Sequence, residues 1–159
     1  MDKIKSLLLP LALVFAGIAI FEFGARYGAT NMRAYAIASE LQFPLNIYEQ
    51  AVSSMDAGSK ETFAAMIDNG IAVGALHRKV WYLKKDARSK LDTVLARALS
   101  TRGEAVCERF ASMQASEDLP TYNKNKLTEI CEAVDIARLE LVDHTSSPAD
   151  SITEQQESL

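Results

Sequence analysis

The chain has 159 residues, 48% apolar and 24% charged, which leaves room for one domain of ordinary size. Seven Gly, four Pro and 8% aromatics argue against a turn-rich all-β fold, and two Cys with two His exclude a Cys-rich disulfide scaffold. The formal net charge of -4 carries no nucleic-acid footprint, so no nucleic-acid partner is expected.

The first element is a membrane segment. The fifteen residues Leu7, Leu8, Leu9, Pro10, Leu11, Ala12, Leu13, Val14, Phe15, Ala16, Gly17, Ile18, Ala19, Ile20 and Phe21 carry no polar side chain. Crossing a bilayer takes roughly 17–25 residues. A helix from Ile4 to Phe23 supplies twenty, with Lys5, Ser6 and Glu22 near the ends where polar groups reach headgroups. Phe21, Phe23 and Tyr27 then form an interfacial aromatic collar beside Arg26. The reading is an uncleaved signal-anchor over residues 1–28, with membrane lipid as its partner. A cleaved signal ending at Gly17-Ile18-Ala19 is the alternative, although Ile20 and Phe21 stand where a polar stretch is expected. A buried helix of a soluble core is the third reading, and such helices rarely lack a polar face over this length. Lys3, Lys5 and the free amine lean toward a cytoplasmic N-terminus, which puts the remainder outside the cytoplasm, in the periplasm if the cell is bacterial.

Residues 29–144 read as a small antiparallel helical bundle, an all-α fold. Ala34, Ala38, Leu41, Leu45, Tyr48, Val52 and Met55 step 4-3-4-3-4-3, an amphipathic, coiled-coil-like seam, with a kink or break expected near Phe43, after which Pro44 can start the next segment. Ser59 is the expected N-cap of the next helix. From there Phe63, Ile67, Ile71, Leu76, Val80, Leu83, Ala87, Leu91, Val94 and Ala98 form one stripe, which predicts a single long helix to about 100, or a break at Gly70 or Gly74. Thr101-Arg102-Gly103-Glu104 fits a capping box that would open another helix bearing Val106, Phe110 and Met113. Asp118-Leu119-Pro120-Thr121 breaks the chain, Asn123 is a candidate cap, and Leu127, Ile130, Val134, Ala137 and Leu141 predict the last helix, with His144 at its end. Residues 145–159 read as a disordered polar tail.

Two features carry chemistry. Cys107 and Cys131 are equidistant from the 119–120 turn, so an antiparallel hairpin puts them at one height, close enough for a disulfide in an oxidising compartment. The alternative is two buried free thiols. Charge is also segregated: Lys60 to Arg102 holds nine basic and four acidic residues, Glu104 to Leu159 four basic and twelve acidic. The basic stretch interleaves Arg78, Lys79, Lys84, Lys85 and Arg88 with Trp81, so an anionic surface is a candidate contact. Complementarity with the acidic hairpin is the simpler expectation, with the cations on the solvated face of a helix.

Neither His has Glu three residues earlier, and no phosphate loop, dinucleotide fingerprint or nucleophile elbow occurs. No catalysis, cofactor, catalytic residue or metal ligand is therefore assigned. The expected function is a single-pass membrane protein acting by protein–protein interaction, as an assembly subunit, spacer or adaptor, with a protein partner or a second copy. A soluble periplasmic or secreted binding domain and a membrane-tethered enzyme of unknown reaction are the alternatives.

Overall fold

The computed structural model describes residues 2–115 and 120–143, with side chains from Pro10 onward except that of Tyr122. His144 and the 145–159 tail lie outside the described residues, as do Asp118 and Leu119. Four α-helices follow in order: α1 (Asp2–Ala51), α2 (Ala57–Arg78), α3 (Lys85–Gln114) and α4 (Thr121–Arg138), the last continuing as a π turn over Leu139–Asp143. The fold is all-α, and no strand occurs among the described residues.

Helix α1 has 50 residues and spans about 75 Å at 1.5 Å per residue. It runs through both Pro10 and Pro44, so the break expected near Phe43 is absent. Pro44 itself is buried, and packing of the seam on both sides of it holds the helix on course. Ala34, Ala38, Leu41 and Leu45 are buried as their spacing predicts, while Val52 and Met55 fall beyond the helix end.

The cap of α2 is Asp56, not Ser59. Its Oδ1 accepts from the Ser59 backbone N–H at 2.9 Å and its Oδ2 from the Ser59 hydroxyl at 2.6 Å. The Ser59 bonds hold the Asp56 pKa below the usual carboxylate range.

The helix expected from 59 to 100 is two helices, interrupted at residues 79–84 rather than at Gly70 or Gly74. Folding back there lays the two halves of the stripe against each other, burying Ile67, Ile71 and Ala75 with Leu91, Leu95 and Ala98. Gly70 and Gly74 serve close helix approach instead. A Cβ at Gly70 would sit 2.7 Å from Leu41 Cδ1, and one at Gly74 3.3 Å from Leu95 Cδ1. The capping box at Thr101 is not a boundary, because α3 continues through it and the Thr101 hydroxyl donates to the Arg97 carbonyl (2.9 Å). Helix α4 begins after Pro120, two residues before Asn123.

Cross-helix bonds give the directions. Thr30 meets His77 and Leu41 meets Gly70, so α1 and α2 are antiparallel. Tyr35 meets Asp86 and Glu49 meets Arg97, so α3 runs parallel to α1. Gln114 meets Lys124 and Gly103 meets Arg138, so α4 returns antiparallel to α3. Helices α2 and α3 form the centre, with α1 on one side and α4 on the other.

Candidate functional site

The apolar part of α1 projects from this bundle. Leu13, Val14, Phe15, Ile18, Ile20 and Phe21 are all more than half exposed, Phe21 at 74%. None of the described residues covers the most apolar window of α1, which is long and apolar enough to cross a membrane. The first buried side chain along α1 is Asn31, at 5%.

At that junction the 79–84 connection docks on α1. Asn31 accepts the Lys84 backbone N–H through Oδ1 (2.7 Å) and donates through Nδ2 to the Tyr27 carbonyl (2.7 Å). His77 Nε2 donates to the Thr30 carbonyl (2.9 Å), which fixes its tautomer. The Thr30 and Tyr82 hydroxyls lie 3.4 Å apart. Leu83, buried at 8%, plugs the end of the core. Arg88 donates to the carbonyls of Arg78 (3.1 Å) and Val80 (2.7 Å), satisfying acceptors that the end of α2 leaves open. The Tyr35 hydroxyl donates to Asp86 at 2.6 Å; this bond raises the Tyr35 pKa and lowers that of Asp86.

An aromatic chain runs from the apolar helix into the connection. Phe23 stacks on Tyr27 (6.3 Å between centroids), Tyr27 lies 6.2 Å from Tyr82, and Trp81 meets Tyr82 edge-on at 5.3 Å. Lys84 Nζ sits 5.7 Å from the Tyr27 ring centroid. Trp81 is 83% exposed.

The six residues of the basic–aromatic stretch therefore divide, and the solvated helical face expected for them does not form. Arg78 pairs with Asp92 (Nε–Oδ1, 2.8 Å), an acid within the basic Lys60–Arg102 segment itself, and with Glu140 beyond α4, one contact of the kind expected with the acidic hairpin. Burial opposes its charge, but the bonds to Glu140 and Asp92 prevail and raise its pKa. Arg88 holds the connection together. Lys79, Trp81, Lys84 and Lys85 remain exposed.

Cys107 and Cys131 come together as their symmetry about the turn predicts. The Cys107 thiol lies 3.9 Å from the Cys131 carbonyl oxygen and 4.0 Å from Asp135 Oδ1. Both are free thiols here, so the expected bridge is not formed in this structure. Burial, then the Cys131 thiol, push the Cys107 pKa up to about 12.

Sequence reasoning missed two features. Asn31 continues the 4-3 seam upstream of Ala34, so a polar residue at a core position was its signal. Asp68 is fully buried, its carboxylate forked by Arg102 (Nε–Oδ1 and Nη2–Oδ2, both 2.9 Å) with Arg109 Nη1 at 3.4 Å. Its signal was a lone acid beside Ile67 on the apolar stripe.

A groove between α1 and α2, of about 450 Å³, is rimmed by Phe43, Met66 and Val73 and floored by Ile37, Leu41, Pro44 and Gly70. Phe43 is 68% exposed. Among the described residues no three acid, Cys or His side chains converge as metal ligands. No protein family matches the chain, and neither a curated protein nor a solved structure is found similar to it.

Proposed function

We propose that this protein is a single-pass, signal-anchored membrane protein whose helical bundle acts by protein–protein contact, as an assembly subunit, spacer or adaptor, without catalysis of its own. One observation carries the reading: the uncovered apolar stretch and the first bundle helix are a single unbroken α1. A flexible linker would let a tethered domain tumble, whereas a continuous helix transmits the position of the span to the bundle. The N-terminus is cytoplasmic and the bundle extracytoplasmic, following the basic residues Lys3 and Lys5. In that compartment a disulfide-exchanging oxidant would accept two electrons and two protons from the Cys107 and Cys131 thiols, leaving them joined as a disulfide. The contact face is the α1–α2 groove, where Phe43, Met66 and Val73 offer apolar area that none of the described residues buries.

The test is alkaline extraction of membranes carrying the full-length chain, with a photoreactive amino acid at position 43. The native chain is expected to stay in the membrane and the Leu13→Lys/Val14→Lys variant to be released. Position 43 is expected to give discrete protein adducts that a control at exposed Ser100 does not. Equal retention of the variant refutes the anchor, and matching adduct patterns refute the contact face.

A further inference from the structure

We propose that the 79–84 connection and the start of α3 bind the anionic headgroups of the same bilayer that α1 crosses, with Trp81 seated in the interface and Lys84 and Lys85 on lipid phosphates. This rests on the anchored reading above.

The placement follows from α1. A span from Ile4 to Phe23 covers about 30 Å, the thickness of the hydrocarbon layer. Tyr27 lies four residues further on, about 6 Å, within a headgroup layer of roughly 5–8 Å. The Tyr27–Tyr82 contact puts the connection at that height, and the Asn31–Lys84 and His77–Thr30 bonds, about 10–12 Å above Phe23, fix it from the aqueous side. Helical side chains lean toward the N-terminus, so Tyr27 and Phe23 tilt back toward the bilayer. The rings of Tyr82 and Trp81 extend this interfacial belt sideways from the helix.

The charge agrees. Lys79, Lys84 and Lys85 are exposed at this end. The neighbouring acid Asp86 is engaged by Tyr35 (2.6 Å), and Glu22 faces Arg26 (3.5 Å). Trp81 is 83% exposed, an unusual cost in water for the largest apolar side chain and a favourable one at a lipid interface. Arg88 and Asn31 hold the connection before any lipid arrives, so binding orders little further chain.

Trp81 is the one Trp in the chain, so its fluorescence reports this site alone. Full-length protein is reconstituted in nanodiscs of phosphatidylcholine built on a Trp-free scaffold, with or without phosphatidylglycerol, some carrying lipid brominated high on the acyl chain. In anionic discs Trp81 is expected to shift to the blue and lose most of its emission to the bromolipid. Neutral discs, high salt, or Lys84→Glu/Lys85→Glu are each expected to restore emission. Equal quenching in neutral and anionic discs overturns the proposal. A blue shift without quenching also overturns it, because a second copy or another protein then covers Trp81. Failure to enter discs at all refutes the anchor instead, whereas entry with unquenched, unshifted Trp81 refutes only the lipid contact.

Discussion

Asp68 gives the sharpest test of how the bundle is held together. Its carboxylate is fully buried and lies within 2.9 Å of two Arg102 nitrogens, with Arg109 more distant at 3.4 Å. The bond to Asp68 is also what raises the Arg102 pKa. In Arg102→Met the carboxylate stays buried with one long partner. Breaking a buried pair costs about 3–5 kcal/mol. The Arg102 side chain is 18% exposed and Arg109 remains, so water and the second cation soften the loss to about 3 kcal/mol. In a bundle of this size that lowers Tm by on the order of 10 °C. The companion Asp68→Leu/Arg102→Met removes both charges and is expected within about 1 kcal/mol of native, since a well-packed apolar pair replaces an ion pair at little cost. The assay is denaturant unfolding of the full-length chain in micelles, followed by far-UV circular dichroism. A single variant losing under about 1 kcal/mol, or a double variant as unstable as the single, would refute the reasoning.

Gly70→Ala gains up to about 1 kcal/mol of helix propensity, but its methyl meets Leu41 Cδ1 at 2.7 Å, with Leu41 itself buried. Overpacking costs roughly 1–3 kcal/mol, so a net loss is expected. Adding Leu41→Val, which removes that carbon, should recover part of it, and no recovery would count against the close approach. The Tyr35–Asp86 bond makes stability depend on pH at both ends. The folded pKa of Asp86 is depressed, so its contribution is present above the unfolded value near 3.9 and lost as pH falls through the lower folded value. That of Tyr35 is raised, so its contribution is present below about 10 and lost as pH rises through the higher folded value. The stability difference between native and Tyr35→Phe should therefore be flat between these limits and shrink beyond both; a difference independent of pH would remove the bond from the account.

Local pattern carried the all-α class, the uncovered apolar segment and the seam through Ala34, Ala38, Leu41 and Leu45, because helical periodicity and hydrophobic length are properties of neighbours in the chain. The meeting of Cys107 with Cys131 was equally legible, since a hairpin maps sequence symmetry onto height. What tertiary structure decided is where helices stop. The stripe through Leu76, Val80, Leu83 and Ala87 suits one helix as well as two. The turn at 79–84 forms because Asn31, far away in the chain, accepts the Lys84 N–H, and because folding back buries two apolar faces that one long helix would leave in water. The same turn put Arg78 with Glu140 and left Lys84 and Lys85 exposed, so the basic stretch became part core tie and part exposed patch. Asp68 and Asn31 became core residues only when distant donors and acceptors met them, because a buried polar group is stable when its partners are supplied and costly otherwise. Periodicity is written along the chain, whereas hydrogen-bond partners are supplied across the fold.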